Sequence, residues 1–233
     1  LERLNERFRI GSAEISDADL SEVYRQVSAA AADTAGLLYP PTYFEMTTAM
    51  AFTYFRGRVN FAILEVGMGG RLDATNVVRQ DVSVITSIGL DHQAFLGDTI
   101  EAIAVEKAGI IKTTEPVVIG PEAEFDVIRQ RAGERLYATR HLQRESRPLP
   151  GGRFELDLTT PISQYRNLAP SLAGRHQLDN VVVAIRAAEC LKLSREQIEH
   201  GVNTAVWPGR LELVAGRPSF LLDGAHNDMA MRA

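Results

Sequence analysis

Two short, nearly continuous apolar runs constrain the fold more than any other feature of the sequence. They cover Asn60 to Val66 (NFAILEV) and Asp81 to Ile88 (DVSVITSI), and both are rich in valine and isoleucine. Strands covered on both faces of a parallel sheet have this composition. A third short run follows at Pro116 to Ile119, and helical patterns lie between and after the runs. This alternation predicts an α/β domain with a doubly wound sheet.

The composition is that of an ordinary globular protein. Of 233 residues, 45% are apolar and 24% charged, which argues against disorder and against a disulfide scaffold. The net charge of −5 has no long single-sign block, so we expect neither a nucleic-acid surface nor a membrane surface. A single cysteine, Cys190, favours a reducing compartment, and the sequence has no signal-peptide pattern at its start. We therefore expect a cytoplasmic protein.

The remaining periodicities give a coarse map of helices and further strands. Helices are predicted over 17–35, with Ser16 as N-cap, and over 43–57, 99–111, 177–191 and 194–204. Strands are predicted over 153–158, 211–214 and 219–222, with a hinge at 207–209. The chain starts without methionine and ends without a helix cap, so we expect a fragment of a longer protein.

Polar side chains follow the first two apolar runs. Glu65 lies near the end of the first, and Asp91 and His92 follow the second. Ligands collect outside the carboxyl ends of parallel strands, so these groups are predicted to share one edge of the sheet. A carboxylate and an imidazole there can bind a divalent metal. A strand-end glutamate and a loop histidine in water remain the simpler alternative.

Lys107 occupies an unusual position in its predicted helix. Positions 103, 104, 108 and 111 are apolar and define one stripe, and Lys107 falls on it. Its ammonium can extend along the stripe to water or pair near Glu106, which is the structural interpretation. Desolvation would instead lower its pKa and leave a reactive amine, which is the functional one.

The loop from Gly67 to Asn76 (GMGGRLDATN) directly follows an apolar run. A dinucleotide-binding fingerprint requires glycine at position 72, where this chain has leucine, so nicotinamide binding is disfavoured. Three glycines still allow a close approach of the backbone to a ligand. The alternative is a tight turn in which the Asp and Asn side chains cap backbone groups.

Six motifs, in order along nearly the whole chain, resemble those of a known protein family. They are 65–76 (EVGMGGRLDATN), 89–92 (GLDH), 106–112 (EKAGIIK), 172–177 (LAGRHQ) with Asn180, 207–210 (WPGR) and 223–227 (DGAHN). The chain resembles the folylpolyglutamate synthase and dihydrofolate synthase family of the Mur ligase superfamily. The resemblance implies an ATP-dependent amide ligase that adds L-glutamate to dihydropteroate, to folates, or to both, through an acyl phosphate.

The resemblance also assigns a metal site. Glu65 and His92 match the family's magnesium ligands, and Lys107 matches its carbamylated lysine, so these three side chains are the implied catalytic set. A carbamate supplies the anionic oxygen that Mg²⁺ prefers. This implication gives the position of Lys107 on the apolar stripe a chemical reason.

Substrate and nucleotide contacts are implied in the same way. Thr42, Phe44 and Asp73 match positions that hold the pterin end, and Phe44 can stack on a flat ring. Without the family, Phe44 is more simply a core aromatic. The positions implied to contact the nucleotide are Asn180, Arg210, Asp223 and His226, of which Arg210 suits phosphate oxygens and Asp223 a ribose hydroxyl.

Two departures from the family qualify this assignment. The family's glycine-rich phosphate loop, which ends in lysine and serine, occurs nowhere in these 233 residues, and Asp228 replaces a usual proline. We predict an incomplete central ATPase domain over 1–208 and the first strands of a Rossmann-like domain over 209–233. We expect a monomer, inactive as a fragment. The alternatives are another Mur-type amino-acid ligase and a non-catalytic scaffold that has lost its phosphate loop.

Overall fold

The structure is a computed structural model that describes residues 2–34, 39–112, 114–225 and 231. The chain divides into two compact units, Leu1–Val78 and Arg79–Ala233. The predicted division at 208 stays a prediction. The helices are α1 (Asp17–Asp33), α2 (Tyr43–Phe55), α3 (Gln93–Leu96), α4 (Ile100–Lys107), α5 (Asp126–Ala132), α6 (His176–Cys190) and α7 (Arg195–Thr204). The strands are β1 (Arg9–Ile10), β2 (Ala13–Glu14), β3 (Ser83–Ser87), β4 (Val117–Glu122), β5 (Leu136–Ala138), β6 (Gln143–Pro148), β7 (Phe154–Thr159), β8 (Gln164–Leu168), β9 (Glu212–Val214) and β10 (Phe220–Leu222).

The first unit is a pair of helices packed on a short hairpin. Strands β1 and β2 pair antiparallel, and α1 begins where the Ser16 hydroxyl accepts a hydrogen bond from the Asp19 backbone N–H at 3.0 Å. This confirms Ser16 as the predicted N-cap. The core of this unit consists of Phe8, Ile15, Val23, Met50 and Tyr54.

The strand predicted over 60–66 is wrong. In the part of the chain that the structure describes, these residues are neither helix nor strand, and Ile63 is 97% exposed. Composition identifies a segment suited to a covered sheet, but a strand exists only where a neighbouring strand accepts its backbone hydrogen bonds. No described strand supplies them here.

The second unit is built on a parallel sheet in the order β3-β4-β5. On β4, Val117, Val118 and Ile119 are all fully buried, so both faces of this strand are covered. Val117 and Ile119 pack with residues of α4 and α5, and α6 also packs against β4. The structure therefore confirms the predicted α/β class and the strands at 81–88 and 116–119.

Gly120 sets the spacing between β3 and β4. A Cβ at Gly120 would lie 1.9 Å from the Thr86 carbonyl oxygen, far inside any possible contact distance. The parallel register shifts between Ile85 and Ser87 at the same level. Only glycine allows this approach of the two backbones at the end of β3, from which the chain continues to Asp91 and His92.

An antiparallel sheet, β6-β7-β8, packs on α6 and α7 through a second core. Glu189 on α6 is buried and accepts hydrogen bonds from the Thr160 hydroxyl at 2.7 Å and the Tyr165 hydroxyl at 3.0 Å. It also pairs with buried Arg186, whose guanidinium lies over the Tyr137 ring of β5 at 5.2 Å. Burial, together with the neighbouring Glu189, raises the pKa of Tyr165. This network connects α6 to both sheets of the unit.

The last two described strands, β9 and β10, form an antiparallel pair whose residues are exposed on both strands. The predicted strands at 211–214 and 219–222 are thus confirmed. None of the helices in the described ranges has the length and apolar character required to cross a membrane.

We predict that Gly120→Ala lowers the free energy of unfolding by about 2 kcal/mol or more, because the added methyl forces the backbones of β3 and β4 apart. Urea unfolding followed by circular dichroism measures this. Gly201→Ala is the matched control, since Gly201 lies in α7 with open space around it. That control should be stabilised by about 0.5–1 kcal/mol. Equal stability of the Gly120→Ala and wild-type proteins would contradict the close approach.

Candidate functional site

Asp73 organises the glycine-rich loop of the first unit. Its Oδ2 accepts hydrogen bonds from the backbone N–H groups of Gly67 at 3.0 Å and Met68 at 3.1 Å. Its Oδ1 accepts from the Thr75 N–H at 2.9 Å and the Thr75 hydroxyl at 2.5 Å, which begins a 3-10 turn at Ala74–Val77. The capping alternative raised by the sequence is thus what the structure shows. The predicted contact of Asp73 with a pterin end stays a prediction.

Thr42 and Phe44 lie at the start of α2. Thr42 is the N-cap: its hydroxyl accepts from the Glu45 N–H at 3.2 Å, while Glu45 accepts from the Thr42 N–H at 2.7 Å. This reciprocal capping box lowers the pKa of Glu45, first through the backbone N–H of Thr42 and then through its hydroxyl. Phe44 is half-buried and its ring packs against the backbone of Gly67. The first unit therefore brings Phe44 and the Asp73 loop together, and exposed Glu65 lies two residues before that loop.

His92 has a strained backbone at the edge of the parallel sheet. It lies beyond the carboxyl end of β3, is the N-cap of α3, and has φ 49° and ψ 35° in the left-handed region. The His92 N–H donates to Asp91 Oδ1 at 2.9 Å, and the imidazole Nε2 lies 4.0 Å from Asp91 Oδ2. A non-glycine residue in this region costs on the order of 1 kcal/mol, and such residues concentrate at functional sites.

Lys107 is the last residue of α4, and the stripe predicted for this helix is confirmed. Ile103, Ala104 and Ala108 are fully buried, while Lys107 itself is half-buried. Within the described ranges, no carboxylate lies at ion-pair distance from the Lys107 ammonium. The structure thus leaves Lys107 partly covered at the end of an apolar stripe.

The predicted metal ligands belong to different units of the structure. Glu65 is in the first unit, whereas His92 and Lys107 are in the second, at ends of the neighbouring helices α3 and α4. The described residues contain no group of three His, Cys, Asp or Glu side chains arranged for a metal ion. The predicted set is of another kind, since its third member is a lysine. The donor chemistry fits Mg²⁺, with a carboxylate, an imidazole and a lysine that can become a carbamate. The metal site stays a prediction.

A second group of polar side chains lies at the start of α6. Asn180 Nδ2 donates to Gln177 Oε1 at 3.1 Å, and Gln177 Nε2 lies 3.1 Å from His176 Nε2. His176 Nδ1 is buried and has no hydrogen-bond partner among the described residues. A buried polar atom without a partner is costly unless a ligand or water satisfies it.

Arg210 and Asp223 lie beside this group. Asp223 accepts hydrogen bonds from the backbone N–H of Leu211 at 2.8 Å and of Ala225 at 2.7 Å. These two donors, with smaller contributions from Arg210 and His176, lower the pKa of Asp223. A Cβ at Gly174, which has φ +98°, would lie 2.6 Å from the His176 ring and 2.8 Å from Leu211 Cδ1. The structure thus brings the helix start and the segment after the hinge together; His226 lies outside the described residues.

Comparisons with known proteins assign the chain to a family. The model of the Mur ligase middle domain matches residues 41–188. The chain belongs to the Mur ligase family. This Mur ligase chain is 41% identical, over 96% of its length, to dihydrofolate synthase/folylpolyglutamate synthase of Bacillus subtilis. It spans about half the length of that relative, 56%.

Solved structures give the same family fold. E. coli FolC in complex with DHPP and ADP matches 98% of the chain and 54% of its own length, with TM-score 0.84 and 32% identity. An FPGS–AMPPCP–folate complex matches 99% of the chain and 60% of its own, with TM-score 0.86 and 34% identity. The Mur ligase fold expected from the sequence is therefore confirmed.

Two residues of the site were not singled out from the sequence. Gln177 joins His176 to Asn180, and Gly174 lets the His176 ring and the Leu211 side chain both approach its backbone. Both lie inside the 172–177 motif, and membership of that motif is the sequence feature that could have identified them. Their roles depend on contacts and on a positive φ, which the residue types do not reveal.

We predict that Asp223 titrates at a lower pH in the native chain than in the urea-unfolded chain, because two backbone N–H groups stabilise its ionised form. Carboxyl ¹³C NMR measures both values, with Asp223→Asn identifying the resonance. Since the native pKa is the lower one, this group stabilises the fold above its unfolded pKa, and the contribution is lost as pH falls through the native value. Equal native and unfolded values would show that the two hydrogen bonds do not form.

Proposed function

We propose that the protein containing this chain is an ATP-dependent ligase that joins L-glutamate to dihydropteroate, to folates, or to both. The observation that carries the proposal is the 41% identity, over 96% of the chain, to a relative named for both activities. Solved relatives named for complexes with ADP and DHPP, and with AMPPCP and folate, support both the nucleotide and the acceptor.

The nucleotide assignment rests on the side chains at the start of α6 and after the hinge. In the proposed complex, the Arg210 guanidinium binds phosphate oxygens. Asp223 accepts a hydrogen bond from a ribose hydroxyl through the lone pairs that its two backbone donors leave free. Asn180 and the unpartnered Nδ1 of His176 offer further polar contacts. His226 is assigned to the same site from its motif alone.

The acceptor assignment rests on the first unit. Phe44, half-buried at the start of α2, offers an aromatic ring to the flat pterin. The two candidates beside it already have structural partners, since Thr42 caps α2 and Asp73 holds the glycine-rich loop. In this proposal they act mainly by fixing the walls of the acceptor site.

The proposed reaction has two steps. An oxygen of the acceptor carboxylate attacks the γ-phosphorus of ATP, ADP leaves, and an acyl phosphate forms. The glutamate amine then attacks the acyl carbon, loses a proton, and expels inorganic phosphate as the amide forms. Phosphoryl transfer depends chiefly on positioning and on neutralising charge. Glu65, His92 and carbamylated Lys107 would hold Mg²⁺, which supplies neutralisation of phosphate charge when bound.

We predict that the complete natural protein containing this chain releases ADP when given ATP, L-glutamate and either dihydropteroate or a folate. The 233 residues alone should give no turnover, because their sequence has no glycine-rich loop ending in lysine and serine to hold the phosphates. A coupled ADP assay measures both. Activity only with a peptidoglycan precursor would identify another Mur-type ligase, and no activity with any acceptor would favour a scaffold.

We predict that Lys107→Ala lowers kcat by at least about a hundredfold in the complete protein, because the site loses an anionic ligand. Added acetate should restore part of the activity by supplying a carboxylate oxygen. Lys107→Arg is the control, since it keeps the positive charge but cannot be carbamylated, and it should be equally inactive. A carbamate signal from ¹³C-bicarbonate in NMR should be present in the wild type and absent in both variants. Full activity of Lys107→Arg would show that the residue acts only as a cation.

A cytoplasmic location and a monomeric state stay predictions from the sequence.

A further inference from the structure

The ring of Phe44 lies directly against the backbone of Gly67. A Cβ built at Gly67 would be 2.6 Å from Phe44 Cζ, 2.9 Å from Cε1 and 3.0 Å from Cε2. A point in the plane of the ring beyond Cζ would be much farther from both Cε atoms than from Cζ. The three similar distances therefore place this Cβ over one face of the ring, at its outer end.

Neither partner of this contact can easily withdraw. The Gly67 N–H donates to Asp73 at 3.0 Å, and the same carboxylate holds Met68 and Thr75, so the loop backbone is fixed on that side. Phe44 is the second residue of a capped helix, and its carbonyl oxygen accepts a hydrogen bond from the Thr47 hydroxyl at 3.0 Å. The same helix is anchored in the core of the first unit.

We propose that Gly67 is a positioning residue for Phe44: its bare backbone supports one face of the ring, which leaves the opposite face to a flat aromatic ligand. This rests on the proposed function, which assigns the pterin end of the acceptor to Phe44. Phe44 is only half-buried, so part of its side chain is open to a ligand. A methyl group at position 67 would push the ring into the space that the ligand occupies.

A methyl group at position 67 should weaken binding of the acceptor and leave binding of the nucleotide unchanged. In the complete protein, Gly67→Ala should raise the KM for dihydropteroate or folate by about three- to tenfold, the range expected when a side chain is forced off its rotamer. The KM for ATP should not change. Gly201→Ala adds a methyl in open space in α7 and should change neither constant.

A double-mutant cycle separates the positioning role from a general structural one. Phe44→Leu removes the outer ring atoms that Gly67 meets, so Gly67→Ala should raise the acceptor KM no further in that background. The same added factor in both backgrounds, with wild-type turnover intact, would overturn the positioning role while leaving the proposed function standing. An unchanged acceptor KM in Gly67→Ala would overturn it as well.

Two further outcomes are distinguishable. If Gly67→Ala lowers the melting temperature and Phe44→Leu does not relieve the loss, the glycine is required for folding and the proposal is wrong. If the wild-type protein has no glutamate-dependent turnover with any pterin acceptor, the proposed function fails, and the positioning role fails with it.

Discussion

The coverage of β4 on both faces is the constraint on which the second unit depends. Val117 and Ile119 pack with α4 and α5, and Val118 is equally buried where α6 packs against the strand. The valine and isoleucine side chains at the start of β4 alternate between its two faces, so both faces need helices to cover them. Lys107 ends α4, three residues before Ile110, whose carbonyl oxygen accepts a hydrogen bond from the hydroxyl of Ser83 at the start of β3 at 3.5 Å. His92, the N-cap of α3, lies beyond β3 at the carboxyl edge of the sheet. Gly120 allows the strands to meet closely enough for that edge to form.

The buried pair Arg186 and Glu189 gives α6 a defined position. A buried ion pair contributes little net stability compared with apolar residues, but removing one partner leaves an uncompensated charge. Glu189 accepts hydrogen bonds from Thr160, in the turn after β7, and from Tyr165 of β8, and Arg186 lies over Tyr137 of the parallel sheet. The C-terminal half of α6 is therefore tied to both sheets. Its first turn, which carries His176, Gln177 and Asn180, is then held by a rigid element rather than by a loop.

Several candidate site residues also have structural partners. Asp73 and Thr42 each satisfy backbone groups at the start of a helical turn, and Asp223 accepts two backbone hydrogen bonds after the hinge. Such groups shape the walls of a site even where they do not touch a ligand. His92 differs from these residues, because its backbone is left-handed and therefore strained.

The sequence by itself determined the local elements and the family. Periodicity placed α1, α2, α4, α6 and α7, Val- and Ile-rich runs placed β3 and β4, and ordered motifs identified the Mur ligase family, because each of these signals is carried by neighbouring residues. Only the tertiary structure decided pairing and contact. It showed residues 60–66 without a strand partner, formed the antiparallel pairing of β6, and brought Gly67 against Phe44 and Gly174 against Leu211. These outcomes depend on hydrogen bonds and close approaches between segments far apart in the chain, which no local pattern of residue types encodes.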